Sequence, residues 1–373
     1  MRRIITPNVA RDLKRKMVFI VGPRQVGKTW LAKEIARGYP EALYLNYDDA
    51  KHREVIRDES WLPNTPLLIF DEIHKMRGWK NYLKGVFDTK PEGMHILVTG
   101  SARLDAHRRM GDSLAGRYFT HHLMPLTLAE LKETEYAGDI ERVFERGGFP
   151  EPMLEIERAD ALRWRNLYSD TLLREDVLDF ASIDNALAMR QVFQLLRHRV
   201  GSPVSASAIA RDVGISPITV RRYITIFEEL YMVFSVRPYT HKISRSILKE
   251  PKIYFYDHAL VEGDPGAQFE NMVAVALLAH IEAREDATGR GGRLAFLKTK
   301  EGKEVDFAVV SEKNELERIV ETKIGDGAVN PALRYFSEKY NIPGVQVVKN
   351  LRMERSDGAL LEIRKAETFL ANL

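Results

Sequence analysis

Residues 22–29 read Gly-Pro-Arg-Gln-Val-Gly-Lys-Thr, a complete G-x-x-x-x-G-K-T loop. An apolar segment, Met17-Val-Phe-Ile-Val21, runs into it, and an amphipathic one, Trp30-Leu-Ala-Lys-Glu-Ile-Ala36, runs out. The pattern predicts strand, loop and helix in that order. Gly22 and Gly27 let the backbone curl around an anion with no Cβ in the way. The amides of the loop and of the first helical turn then face phosphate oxygens. The nucleotide-facing set is Gly22, Pro23, Arg24, Gln25, Val26, Gly27, Lys28, Thr29 and Trp30. Lys28 reaches the β- and γ-phosphates of ATP, and the Thr29 hydroxyl binds Mg²⁺.

A phosphate loop needs a carboxylate near the metal and a group that orients the attacking water. Pro66-Leu-Leu-Ile-Phe-Asp-Glu72 supplies both. Its unbroken apolar run suits a central parallel strand buried on both faces. Asp71 and Glu72 end that strand, at the edge where open α/β sheets bind ligands. Asp71 is assigned to Mg²⁺ and its water shell, and Glu72 to polarising the water. His95-Ile-Leu-Val-Thr-Gly100 is a further strand, followed by Ser101. Ser101 either senses the γ-phosphate or caps a helix. With Leu43-Tyr-Leu-Asn-Tyr47 as one more strand, the first 125 residues read as a P-loop NTPase α/β fold, a parallel sheet with helices on both faces.

Several of these stretches resemble a family of prokaryotic AAA-type ATPases. They are Gly-Pro-Arg-Gln-Val-Gly-Lys-Thr (22–29), Phe-Asp-Glu-Ile-His (70–74), Val-Thr-Gly-Ser-Ala (98–102), Leu-Ala-Gly-Arg (114–117), Pro-Leu-Thr-Leu-Ala-Glu-Leu (125–131) and Gly-Gly-Phe-Pro-Glu (147–151). The resemblance implies ATP hydrolysis by an AAA+ module. It also implies an arginine finger, often from a neighbouring subunit of a homo-oligomer. Arg117 matches the family's Gly-Arg position, and Arg103 is a second candidate. Each is also readable as a surface or phosphate-independent salt bridge.

Residues 126–195 read as a helical lid or connector. Residues 196–245 carry a helix-turn-helix pattern: a helix over 206–213, a break at Gly214, and Ser216-Pro217 opening the next helix. That second helix holds Thr219, Arg221 and Arg222, candidates for contacts to DNA. The competing reading is a winged-helix packing module. Met232–Pro238 is expected as the first arm of the wing.

From residue 246 onward three pieces form a pattern. A helix over Gln268–Leu278 carries Glu270, a hairpin strand over Glu304–Val310 carries Asp306, and Glu317–Lys323 is a strand ending Glu321-x-Lys323. Strand side chains alternate, so Glu321 and Lys323 share a face. Asp followed by Glu-x-Lys resembles restriction-endonuclease-like (PD-(D/E)xK) domains, a fold known at the end of the same ATPase family. The resemblance implies that Asp306 and Glu321, with Glu270, hold Mg²⁺ as hard oxygen ligands. Lys323 would position the water or offset charge. Many such domains keep the fold without cleaving.

Bulk numbers bound the rest. The length, 373 residues, fits about two to three domains. A net charge of +3 neither requires nor excludes a nucleic-acid surface. The chain has no cysteine, so disulfides and cysteine-held zinc are excluded and a reducing cytoplasm is the expected compartment. No apolar run reaches transmembrane length, and Met1-Arg-Arg-Ile-Ile-Thr has no apolar core behind it, so neither membrane nor export signal is expected. Three functions fit: an ATP-driven machine on DNA, a nucleotide switch or remodeller of protein partners, and a metal nuclease gated by nucleotide.

Overall fold

A computed structural model of the chain describes residues 2–100, 114–177, 185–240, 246 and 249–373, without the side chains of residues 175 and 176. The chain forms two compact units, Arg2–Met124 and Pro125–Leu373.

The first unit is a five-stranded parallel sheet. Its elements are α1 (Thr6–Leu13), β1 (Met17–Val21), α2 (Lys28–Ala36), β2 (Leu43–Asn46), α3 (Ala50–Asp58), β3 (Leu67–Asp71), α4 (Trp79–Thr89), β4 (His95–Thr99) and β5 (Tyr118–His122). The strand order is β2-β3-β4-β1-β5, with every pairing parallel. β1 and β3 are buried at every residue, which explains their unbroken apolar sequence. Placing β4 between β1 and β3 brings three strand C-termini side by side. The phosphate loop leaves β1, Asp71 ends β3, and Thr99 ends β4 directly opposite Asp71. One core packs Phe19, Leu68, Phe70, Leu83 and Val98.

In the second unit, the described residues up to 197 hold five α-helices, α5 (Leu128–Leu131), α6 (Ile140–Arg146), α7 (Pro150–Leu154), α8 (Arg158–Thr171) and α9 (Ala186–Arg197). α10 (Ala206–Val213) and α11 (Pro217–Glu229) follow, then β6 (Val233–Pro238) and β7 (Lys252–Phe255), an antiparallel pair. The turn forms as its residues dictate. Gly214 takes φ +76 at the end of α10, and the Ser216 hydroxyl accepts the Thr219 amide at the start of α11. The remaining elements are α12 (Pro265–Thr288), β8 (Gly292–Lys298), β9 (Glu304–Ser311), β10 (Leu316–Gly325), α13 (Pro331–Tyr340), β11 (Gly344–Asn350), β12 (Arg355–Asp357), β13 (Leu361–Lys365) and α14 (Ala366–Ala371).

Eight strands form one mixed sheet in the order β12-β13-β11-β10-β9-β8-β6-β7. β6 pairs with both β7 and β8, so residues 196–245 and 246–373 share that sheet. Asn271 on α12 is fully buried and clips the helix to β7, donating to the Phe255 carbonyl and accepting the Phe255 amide. No helix among the described residues is long and apolar enough to cross a membrane.

Candidate functional site

The loop after β1 has the backbone that an anion cradle requires. Gln25 and Gly27 are left-handed, at φ 62 and 99. Gly27 stands at the N-cap of α2 with no side chain closing the helix end, so the first-turn amides stay available to a ligand. Gly22 is needed for a second reason: at φ 140 a Cβ would collide with the Leu123 carbonyl where the chain leaves β5. Lys28 is buried, and its ammonium folds back on the loop, donating to the carbonyls of Gly22 and Pro23 at 2.9 and 2.6 Å.

Asp71 is the hub facing that loop. Its Oδ2 accepts the Thr29 hydroxyl at 2.8 Å and the Tyr44 hydroxyl at 2.5 Å, and its Oδ1 accepts the Thr99 hydroxyl at 2.6 Å. A hydroxyl on the loop helix thus touches a carboxylate at the end of β3, one strand beyond the neighbour of β1. This donor set fits Mg²⁺ bound with substrate phosphates, since that ion uses one or two protein oxygens and keeps several waters.

Glu72 follows in a left-handed conformation at φ 58, which turns its side chain away from the strand direction. Its carboxylate lies 3.6 Å from His74 and 3.7 Å from Lys75, and Lys75 is anchored on Asp48 at 2.6 Å. Burial lifts the Glu72 carboxyl above its ordinary value, opposed by the Lys75 charge.

Ser101 and Arg103 lie outside the described residues. Arg117 is placed at the opposite edge of the sheet, where its carbonyl accepts the Met17 amide at the start of β1. β1 has 5 residues, so its ends stand roughly 15 Å apart. That is beyond an arginine's reach to the loop of its own chain. Its guanidinium instead grips Asp88 at 2.8 and 3.0 Å.

In the second unit Glu270, Asp306, Glu321 and Lys323 are brought into one charged pocket from α12, β9 and β10. Thr322 donates its amide and hydroxyl to Asp306 at 2.8 and 2.7 Å. Glu321 accepts Lys323 at 2.6 Å and also Asn330. Lys252 on β7, 1% exposed, reaches between Glu270 at 3.2 Å, Glu304 at 2.8 Å and Asp306 at 4.0 Å. Burial works against the Lys252 charge, but Glu270, Asp306 and Glu304 outweigh it and hold the ammonium above its usual value. Burial, and then the charge of Asp306, push Glu270 and Glu321 up to about 7. Among the described residues no three carboxylate or imidazole side chains are set to share a metal ion. The expected Glu270, Asp306 and Glu321 carboxylates lie in one cluster whose charges are shared with lysines. A lysine ammonium fills the Glu270–Asp306 side, and Glu321 is turned to Lys323 and Asn330.

Arg221 and Arg222 are exposed on α11 beside Ile218, and Thr219 is half-buried with its hydroxyl 2.9 Å from that of Ser216. Arg221 lines a cleft of about 380 Å³ with Arg237 and Lys249.

Sequence reasoning missed Tyr44, Thr99, Lys252, Glu304 and Tyr254, whose hydroxyl donates to Glu270 at 2.5 Å. Thr99 carried a signal: it is the last residue of the apolar strand segment that the sequence already placed beside Asp71. Lys252 and Tyr44 carried none, because their partners are distant in sequence.

Comparison with known proteins adds the following. A family model described as an AAA domain matches residues 14–132, and one described as a domain of unknown function (DUF8612) matches residues 137–263. An uncharacterized protein of Mycobacterium tuberculosis is 28% identical over 264 residues, covering 70% of this chain and 58% of that protein. The chain therefore spans less than two thirds of that relative's length. An uncharacterized protein of Methanocaldococcus jannaschii is 23% identical over 348 residues, covering 83% of this chain and 76% of that protein. Among solved structures, a Walker-type ATPase of Pyrococcus abyssi is similar at a TM-score of 0.46 and 13% identity, over 72% of this chain and 95% of that one. By family match and loop motif, the first unit is an AAA-type P-loop module.

Proposed function

We propose that the first unit binds and hydrolyses ATP with Mg²⁺, and that residues 196–373 engage DNA under its control. The observation that carries the ATPase reading is the Thr29–Asp71–Thr99 hydrogen-bonded triangle beside the buried Lys28. Loop amides and the Lys28 ammonium would hold the phosphates. Thr29 and Asp71 would hold Mg²⁺, which, when bound, neutralises charge on the phosphate oxygens. Glu72 would orient water and take its proton. Its contacts to His74 and Lys75 keep the carboxylate in place. Arg117 acts, in this reading, only on the site of a second copy. A cytoplasmic location goes with it.

The DNA part is supported by the exposed Arg221 and Arg222 on the second helix of a helix-turn-helix, followed by an antiparallel strand pair as in a winged helix. The strand order around Asp306 and Glu321 suits a restriction-endonuclease-like fold. Lys252 beside Glu270 and Asp306 already offsets part of their charge, which weakens the case for a divalent ion there. Hydrolytic chemistry is therefore assigned to the first unit alone. The same Lys252 plug favours the rival reading, a nucleotide-dependent signalling switch or protein remodeller whose second unit docks a partner.

The test is ATP turnover in Mg²⁺ with and without single-stranded, duplex and branched DNA. Turnover should vanish in Lys28→Ala. Any stimulation by DNA should be lost in an Arg221→Glu, Arg222→Glu double variant and should weaken with salt. Turnover indifferent to every DNA would leave the protein-partner reading standing, and turnover unchanged in Lys28→Ala would end the ATPase reading.

A further inference from the structure

Three hydroxyls converge on the Asp71 carboxylate, and only two belong to residues beside the phosphates or the sensor strand. The third comes from Tyr44 on β2. In the β2–β3 register Tyr44 stands opposite Ile69, two residues before Asp71, so the two side chains are diagonal neighbours on one face of the sheet. Two contacts hold the ring. The Lys33 ammonium of α2 lies 5.0 Å over it, and the His52 imidazole meets it edge-on at 6.5 Å. The phenol donates to the same oxygen, Oδ2, that accepts Thr29.

A carboxylate oxygen has about two lone pairs. Thr29 and Tyr44 use both of those on Oδ2. A hydroxyl that donates to Asp71 still has lone pairs for a cation, so Thr29 can serve Mg²⁺ without releasing the carboxylate. Oδ2 cannot turn to a metal in the same way. Resting on the ATPase reading above, we propose that Tyr44 is a positioning residue that holds Asp71 back from direct ligation, so that Asp71 meets the Mg²⁺ of the nucleotide through that ion's water shell. Tyr44 touches neither nucleotide nor ion. It acts only by saturating Oδ2 and fixing the rotation of the carboxylate. Mg²⁺ sheds water reluctantly, so a site that receives it hydrated is the tighter one for it.

The test uses Tyr44→Phe in the full chain. The phenyl ring keeps the edge-on contact with His52 and the packing against Lys33, and the change removes only the hydroxyl. Binding of a fluorescent ATP analogue is measured in EDTA and in saturating Mg²⁺, and again with Ca²⁺. In the variant, affinity in EDTA stays as in the native chain. The gain in affinity on adding Mg²⁺ shrinks by about 10- to 100-fold, the size of one hydrogen bond to a charged group. The gain with Ca²⁺, which accepts direct carboxylate ligation, shrinks less. An unchanged Mg²⁺ gain overturns the proposal, as does an equal loss in EDTA and Mg²⁺, which would mark a general structural effect. A native chain that binds no nucleotide, or a Lys28→Ala chain that binds it as well as the native one, fails at the underlying reading before Tyr44 is reached.

Discussion

Replacing Lys252 by Met tests the charge cluster of the second unit most directly. Met keeps most of the apolar stem, so packing changes little and the perturbation is the loss of one buried charge. The ammonium is 3.2 Å from Glu270, 2.8 Å from Glu304 and 4.0 Å from Asp306, and the side chain is 1% exposed. At an effective dielectric of ~20, one such contact at 3.2 Å amounts to about 5 kcal/mol of Coulomb attraction. Breaking a buried ion pair from one side costs about 3–5 kcal/mol. For a unit of this size that is a fall of roughly 6–20 °C in melting temperature. The cost should also depend on pH. Glu270 already stands at about 7 against an ordinary 4.5, and without Lys252 it rises further. A carboxyl whose folded value exceeds its unfolded one binds more protons when folded, so stability falls as pH rises through that range. The loss should therefore be larger at pH 8.5 than at pH 6. Chemical denaturation followed by circular dichroism at both pH values reads this out. Three of the four tryptophans, Trp30, Trp61 and Trp79, lie in the first unit, so their fluorescence serves as an internal control that should not move. A loss under about 1 kcal/mol at pH 8.5, or an equal loss at both pH values, would refute the reasoning.

Other outcomes follow from the same geometry. Glu72→Gln should leave ATP bound and cut turnover by about 10²-fold or more, as expected for removing a general base; single-turnover and filter-binding measurements separate the two effects. Thr99→Val keeps the volume but leaves Asp71 Oδ1 without its hydroxyl, and should cost about 1–3 kcal/mol of stability in the first unit, read by its tryptophan fluorescence during urea unfolding. His258 is buried with its imidazole 2.7 Å from the Val143 carbonyl, and burial lowers its pKa from 6.5. The unfolded chain thus takes up this proton more readily than the folded one. His258 stability is complete above about 6.5 and is lost as pH falls below it. Replacing it by Gln should flatten the decline of unfolding midpoint between pH 7 and pH 5.5; an unaltered slope would remove His258 as its source.

What could be read from sequence here was local. The phosphate loop, the strand ending in Asp71-Glu72 and the turn at Gly214–Ser216 are contiguous segments, and their residues impose backbone conformation within a few positions of themselves. Glu270, Asp306, Glu321 and Lys323 were also legible, because helix and strand periodicity gives each a face. Neighbour relations across the sheets were not. Strand order decides that Thr99 lies opposite Asp71, that Tyr44 reaches the oxygen Thr29 also holds, and that Arg117 sits an entire strand length from the loop. The same holds for Lys252. Nothing within ten residues of it hints at three carboxylates, and only the pairing of β6 with both β7 and β8 carries its ammonium to Glu270 and Asp306. Sequence thus determined which chemical groups stand at the ends of strands and helices. Hydrogen-bonded pairing between distant strands decided which of those groups meet, since no local propensity records a partner far along the chain.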